Sequence, residues 1–294
     1  MTANRQGALF MVGAMVFFMV GAMVFFGIED ALFKSVTESY PPGLALALFG
    51  LTGLVLYALQ SLRAGEQVLH PEALRPRLLL RSGVEIAGRL FYALALAFTP
   101  LSATTAILQA TPLVVTAGAA LILGEKVGPR RWLAMGVGFA GVLLILRPTP
   151  EAFRLDALLA VAGMLGFAGR DLATRASPPA VSARQLGTLG FLVVTTAGLI
   201  LLPFDSAAPR LPDASEGLRL VLTGAVGVTA YRLLTGAMRS GEIGVVAPFR
   251  YFRLLVALVL GLAIFGERPD LWTWAGSTLI VGSGLYTLAR SRRA

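Results

Sequence analysis

Residues 102–147 read SATTAILQATPLVVTAGAALILGEKVGPRRWLAMGVGFAGVLLILR, and residues 244–290 read GVVAPFRYFRLLVALVLGLAIFGERPDLWTWAGSTLIVGSGLYTLAR. Each is an apolar run of helix length, then Gly-Glu (Gly124-Glu125, Gly266-Glu267), then a short charged turn with Pro129 and Trp132 or Pro269 and Trp272, then a glycine-rich apolar run. The same pattern occurs twice, so the chain is an internal duplication. Duplicated halves in a membrane are a recurrent way to build a transporter with its site between the repeats.

Working outward, apolar residues make up 56% of the chain, charged residues 14%, and mean hydropathy is +0.76. A soluble domain normally carries about 25% charge. Apolar runs of bilayer length recur, and backbone in lipid must bond internally, so the runs are predicted to be helices. Ten spans are expected, at about 7–33, 42–62, 78–98, 101–123, 130–147, 155–174, 183–204, 217–238, 243–265 and 270–290. They form two five-helix repeats, 7–147 and 155–290. The loops are too short for a soluble domain. There is no cysteine, which excludes disulfides, thiolate chemistry and iron–sulfur clusters. The single histidine, His70, lies in a predicted loop, so no histidine cluster exists for a metal or a catalytic centre. No catalytic residue and no cofactor are expected. The first span is followed by Glu29, Asp30 and Lys34 rather than a small-residue cleavage site, so it does not read as a cleavable signal. It contains MVGAMVFF twice in tandem, at 11–18 and 19–26, which makes an overlong helix that must tilt or protrude. A local duplication without a function is the plain reading of that copy.

Lys and Arg set the orientation. With the N-terminus inside, the inner loops and tails hold thirteen (Arg5, Arg63, Arg75, Arg77, Lys126, Arg130, Arg131, Arg175, Arg184, Arg239, Arg290, Arg292, Arg293). The outer loops hold six (Lys34, Arg147, Arg154, Arg210, Arg219, Arg268). Both termini are therefore expected in the cytoplasm, and the net charge of +9 reads as anchoring beside anionic lipid, with no basic domain for nucleic acid. Five spans precede the second half, an odd number. The two repeats are thus inverted, the arrangement that allows alternating access around a midplane site.

In this order and spacing, several segments together resemble the drug/metabolite transporter superfamily, in its ten-span EamA-type branch. They are Asp30-Ala-Leu-Phe-Lys34 with Pro41-Pro42, Ala103-Thr-Thr-Ala-Ile107, Pro112-Leu113, Gly124-Glu125, Arg130-Arg-Trp132 with Gly136 to Gly141, Val245-Val-Ala-Pro-Phe249, Gly266-Glu267 and Trp272. The resemblance covers essentially the whole chain. It implies an all-α membrane protein in which spans one to four and six to nine surround a cavity, with five and ten at the edge. It does not fix the substrate, because that family moves amino acids, nucleosides, vitamins, sugar conjugates and drugs. Many relatives carry an arginine early in span two, but here the run is Gly43-Leu-Ala-Leu-Ala-Leu48, so no role for such an arginine carries over.

A charge at the bilayer centre costs roughly 2.5–3.5 kcal/mol on insertion scales and usually faces a cavity or a partner. Span three places Arg81, Glu85, Arg89 and Tyr92 on one helix face. Arg81 is close enough to the inner end to snorkel. Glu85 and Arg89 either pair with each other or line the cavity. In span nine, Arg250, Tyr251 and Arg253 follow Pro248, which weakens the helix and frees backbone for a ligand. Span eight adds Tyr231 and Arg232, and span four adds Gln109 with Pro112. The substrate-binding set is therefore Glu85, Arg89, Tyr92, Gln109, Tyr231, Arg232, Arg250, Tyr251 and Arg253, the alternative being that the arginines bind Glu85, Asp171 or helix-end carbonyls. Arg170-Asp171 reads as an interfacial anchor. Glu29 and Asp30 are the proton-carrier candidates, unless Asp30 merely pairs with Lys34. Gly124-Glu125 and Gly266-Glu267 read as helix stops with the glutamate capping the next turn. Gly136, Gly138, Gly141 and Gly276, Gly282, Gly284 permit close helix contact, within the monomer or at a homodimer seam. Trp272 and Trp274 fit an interfacial belt. Buried arginines (81, 89, 170, 232, 250, 253) outnumber buried acids (29, 30, 85, 171), which favours a small anionic or zwitterionic substrate such as an amino acid or a vitamin. The expected function is secondary transport of such a metabolite across a bacterial inner membrane. The partners are that substrate and the lipid bilayer. A lipid-linked-sugar flippase of the same fold and a non-transporting scaffold or sensor are the rival readings. An enzyme has no cofactor loop or nucleophile–base pair to recommend it.

Overall fold

The computed structural model describes residues 2–98, 107–147, 157–205, 208–240, 243–265 and 270–291. Gly266-Glu267, Arg154, Arg268, residues 103–106 of span four, residues 292–294 and the side chains of Arg5, Lys34 and Arg290 lie outside that description. Among the described residues there are ten helices of twelve or more residues and no strand. They are α1 (Thr2–Thr37), α2 (Pro42–Arg63), α3 (Pro76–Phe98), α4 (Thr111–Ile122), α5 (Pro129–Leu146), α6 (Ala157–Arg175), α7 (Ala183–Leu201), α8 (Ala214–Ser240), α9 (Phe252–Phe265) and α10 (Leu271–Ser291). One helical turn, Ile243–Val246, and a 3-10 segment, Ala247–Tyr251, lead into α9. By length and composition alone, Gly13–Thr37, Pro42–Arg63, Ala183–Phe204, Ala214–Ser240 and Ile243–Leu260 can each cross a bilayer. The charges of α3 and α6 keep those helices from meeting so simple a test. The protein is a multi-pass membrane protein.

Local sequence sets the helix ends. Pro42, Pro76 and Pro129 each open a helix, where the missing N–H is not needed. Ser182 and Gln185 form a reciprocal capping box on α7. Gly124 has φ of +70° just after α4, the left-handed stop expected of it. Its neighbour behaves differently from expectation. Glu125 does not cap the helix that follows in sequence. Its carboxylate accepts from Ile243 N at 3.0 Å, at the start of the α9 segment in the other repeat.

Loop contacts sort the connections into two ends. Glu66 of the α2–α3 loop accepts from Ser182 and Arg184 at the start of α7, bonds that hold its carboxyl below the usual range, Arg184 contributing most. Glu125 of the α4–α5 turn meets Arg175 at the end of α6. At the other end Asp205 accepts from Gly43 N and Leu44 N, capping α2, and Arg147 pairs with Asp270 at 2.6 Å. The first end is called inner here, after the orientation that Lys and Arg predict.

The helix pairings carry the symmetry of the duplication. The most extensive are α1 with α8, α3 with α6, α2 with α7 and α5 with α10. Advancing each number by five turns the α1–α8 pair into α6–α3 and maps α2–α7 and α5–α10 onto themselves. The two-fold therefore runs through the last two pairs. Two repeat-related bundles result: α1, α8 and α9 on one side, and α3, α4 and α6 on the other.

Glycine makes the tight crossings possible, as small residues do in membranes generally. A Cβ on Gly166 of α6 would lie 2.4 Å from Gly88 Cα of α3, and a Cβ on Gly276 of α10 would lie 2.4 Å from Gly141 O of α5. Of the predicted glycine clusters, Gly138, Gly141 and Gly276 have neighbours within 3 Å of such a Cβ, Gly284 has only phenylalanine ring atoms at 3.3 Å, and Gly136 and Gly282 face open space. Gly166→Val should therefore destabilise the protein by ~1–3 kcal/mol or more, because backbone rather than a mobile side chain must move. Gly136→Ala should leave stability unchanged. Thermal unfolding in detergent, followed by monodispersity, distinguishes the two.

Candidate functional site

The side chains that matter lie where the two bundles meet. From α3, the Glu85 carboxylate is completely buried and faces three arginines. Arg81 Nη2 is 3.5 Å away, Arg89 Nη2 3.7 Å and Arg170 Nη1 of α6 3.3 Å. Only the last is also a hydrogen bond. Arg170 Nη2 lies 2.8 Å from Asp171 Oδ1, and the other Asp171 oxygen takes Arg250 from the segment before α9. Arg81 donates to Thr174 Oγ1 at 3.2 Å and to the Tyr231 hydroxyl of α8. The Arg81–Tyr231 and Asp171–Arg250 bonds both cross from one bundle to the other.

Cations outnumber carboxylates in this cluster. Four guanidinium groups (Arg81, Arg89, Arg170, Arg250) share two carboxylates (Glu85, Asp171). Arg81 Nη1 and Arg89 Nε are buried without a hydrogen-bond partner, and so is the acceptor Glu85 Oε2, 3.5 Å from Arg81 Nη2. Buried polar groups normally find one, so these orphans mark a place where a further polar group can enter the bonding. A second charge pair lies beside the first. Arg253 of α9 forks onto Asp30 of α1, with Nε–Oδ2 at 2.7 Å, and stacks over Phe26. Glu29, next to Asp30, is only partly exposed and has no hydrogen bond among the described residues. It lies against α8, where a Cβ on Gly227 would come within 3.0 Å of its Oε2.

The structure brings Glu85, Arg89, Arg250 and Tyr231 together as one group, and Arg253 joins it through Asp30's neighbourhood. Tyr92, one turn beyond Arg89, is half-buried and packs edge-on against Phe167 with centroids 5.9 Å apart. Gln109 is half-buried in the turn before α4. Two expected members are elsewhere. Arg232 is exposed on the outer face of α8, in line with exposed Leu218, Leu222 and Ala225. It is one helical step from Tyr231, and that step of about 100° turns it from the interior to the surroundings. Tyr251 is fully buried at the α5–α10 seam, its ring against Gly138 and its hydroxyl 3.4 Å from Met135 O. It is a packing residue. The Arg253–Asp30 pair is open as well, at 40% and 53% side-chain exposure, so the buried and half-buried set falls to four arginines (Arg81, Arg89, Arg170, Arg250) against three acids (Glu29, Glu85, Asp171).

Sequence reading also undervalued three residues. Arg81 does not snorkel; it is 1% exposed. Arg170 and Asp171 are not an interfacial anchor but the centre of the network, at 7% and 1% exposure. The available signal was the repeat itself. Asp171-Leu-Ala-Thr-Arg175 stands 141 positions after Asp30-Ala-Leu-Phe-Lys34 and matches it as Asp-x-x-x-cation.

A ten-helix membrane bundle of two inverted repeats, with a charged cluster between its halves, is the architecture of a transporter. The comparisons agree: residues 13–147 and 155–289 each match the EamA-like transporter family, and the chain belongs to it. It is 30% identical over 201 residues to a riboflavin transporter of Rhizobium johnstonii, a match covering 67% of this chain and 65% of that one. It is 24% identical over 241 residues to an S-adenosylmethionine uptake transporter of Rickettsia conorii, covering 82% and 78%. A solved crystal structure at 21% identity superposes with a TM-score of 0.81 over 95% of this chain and 98% of that chain, which shows the fold.

Removing one member of a buried pair strands the other, at a cost of ~3–5 kcal/mol. Asp171→Ala strands Arg250, leaves Arg170 with Glu85 alone, and should lower the melting temperature sharply. Arg232→Leu should not lower it. The two thermal melts, measured side by side in detergent, test this placement.

Proposed function

We propose that the protein is a secondary transporter of a small organic metabolite bearing a carboxylate or phosphate, working by alternating access across a bacterial inner membrane. The repeats are taken as 7–147 and 155–290, with both termini cytoplasmic. The observation that carries the substrate charge is the cation excess around Arg89: a half-buried side chain whose Nε is buried without a hydrogen bond and whose paired carboxylate, 3.7 Å away, is shared with two other arginines. An anionic group entering between the bundles would supply the missing acceptor. Arginine's planar fork suits both carboxylate and phosphate. The proposed contact set is Glu85, Arg89, Tyr92, Gln109, Arg250 and Arg253, with Tyr231 orienting Arg81. The names of the relatives support a metabolite of this size. S-adenosylmethionine carries an α-amino carboxylate, while riboflavin tests whether an uncharged ring system suffices.

Glu29 is the proposed proton carrier. Asp30 is already neutralised by Arg253, whereas Glu29 has no such partner and stands at the edge of the cluster. A carboxyl so placed can be loaded from one side and released to the other as the bundles rock.

Flux into proteoliposomes tests both. Amino acids, organic anions, S-adenosylmethionine and riboflavin are offered with and without a pH gradient. Saturable uptake should fall by about 10-fold or more in Arg89→Ala, the loss of one charge-assisted hydrogen bond. Glu29→Gln should keep downhill exchange but abolish the response to the gradient. Unchanged KM and rate in Arg89→Ala would remove that residue from the site. No flux for the whole panel, in folded protein, would turn attention to a lipid-linked substrate.

A further inference from the structure

At the inner end, hydrogen bonds cross from bundle to bundle through one carboxylate. Glu125, in the turn after α4, is 14% exposed in its side chain and binds Arg175 Nε at 3.2 Å. The same carboxylate accepts from Ile243 N at 3.0 Å. Arg175 Nη1 donates in turn to Arg239 O at 3.1 Å, in the last turn of α8. Glu125 and Arg175 belong to the α3–α4–α6 bundle. Ile243 and Arg239 belong to the α1–α8–α9 bundle. Directly within reach lies a dry cluster with members from both sides: Val115 and Ala119 of α4, and Ala237, Met238, Ile243 and Val246 of α8 and the α9 segment, none above 1% exposed. At the outer end the described bonds run differently: Arg219 of α8 to Ser35 O of α1, and Arg210 of the loop before α8 to Ser39 O of the turn after α1, stay on one side.

We propose that Glu125 is the inner gate residue: with Arg175 it clasps the two bundles over this apolar plug, and it positions the Ile243–Tyr251 segment that carries Arg250. Release of Glu125 from Ile243 N frees that segment, so opening toward the inner side and withdrawal of Arg250 from Asp171 become one movement. The segment is suited to move. It changes from a helical turn to 3-10 geometry at Ala247, and Pro248 removes a donor there. Glu125 is a positioning residue in this scheme and touches no substrate. The proposal rests on the transport reading, but its test needs no substrate, so a silent flux panel and a silent clasp are separate results.

The chain has no cysteine, so one engineered thiol is a unique reporter. Ala237→Cys, in the plug, is labelled with a membrane-impermeant maleimide applied to the inner face of inside-out vesicles. With Glu125 and Arg175 intact, labelling should be slow. Adding Glu125→Ala or Arg175→Ala should accelerate it about 10-fold, the population shift expected from losing a charge-assisted bond. Glu125→Gln keeps an acceptor oxygen for Ile243 N and should fall between Glu125→Ala and the parent. A second reporter, Val228→Cys in the cluster around Tyr231, should stay slow throughout. Unchanged labelling of Ala237→Cys in both alanine variants overturns the proposal. Equal acceleration at both reporters also overturns it, because it shows general loosening rather than a gate. If Glu125→Ala does not accumulate as folded protein, Arg175→Ala and Glu125→Gln decide the question.

Discussion

Six ionisable side chains, Arg81, Glu85, Arg89, Arg170, Asp171 and Arg250, have been drawn into the middle of an apolar bundle, and their mutual neutralisation is the constraint on which the arrangement depends. Each alone would cost roughly 2.5–3.5 kcal/mol at the bilayer centre. Together they are tolerable because each carboxylate serves more than one cation: Glu85 faces three arginines and Asp171 two. Buried pairs of this kind are seldom a net source of stability compared with apolar packing. Their retention here is better explained by what they connect. The Asp171–Arg250 and Arg81–Tyr231 bonds are the deep links between the two bundles, with the Glu125–Ile243 and Arg175–Arg239 bonds joining them again at the inner end.

The duplication explains why those bundles exist. Equivalent pairs, α1–α8 and α6–α3, form twice, and α2–α7 and α5–α10 close on themselves. The glycine crossings stiffen this frame at particular points, Gly88 on Gly166 and Gly141 on Gly276. Motion is then most easily accommodated between bundles rather than within them. The tandem MVGAMVFF copies fit the same division, since Met15, Met19 and Met23 recur every four residues and all face the apolar interior of the inner half. Methionine's flexible thioether suits a surface that repacks.

Helix number, order and inversion were legible in the sequence because apolar length and the repeated Gly-Glu turn are strong, local signals. The site was legible only in part. Glu85 and Arg89 stand on one face of one helix, so spacing alone brought them together. Arg232 misled because it is adjacent in sequence to Tyr231, and adjacency says nothing about direction on a helix. The alternation of buried Leu220, Gly224, Gly227 and Tyr231 with exposed Leu218, Leu222, Ala225 and Arg232 separates them, but it requires knowing which face meets α1. Tyr251 misled for the opposite reason. The 3-10 turn around it breaks the helical period, so its bearing could not be extrapolated from Arg250 and Arg253. Arg170 and Asp171 were undervalued because their partners come from α3 and α9, contacts that no local pattern records.

The repeats are equivalent in backbone but not in charge. Asp30 and Asp171 occupy matching positions and both hold an arginine from the same stretch before and within α9, Arg253 and Arg250. The residue preceding each aspartate differs: Glu29 in the first repeat, Arg170 in the second. One half therefore presents an acid to the centre where the other presents a base. A symmetric frame can rock to two mirrored states, but an asymmetric lining gives those states different electrostatics. Among the described residues the acid, beside Gly227, has no hydrogen bond, while the base is locked to Glu85 and Asp171. In the proposed function this difference places ion coupling in the first repeat, at Glu29, and anion binding at the interface between the two.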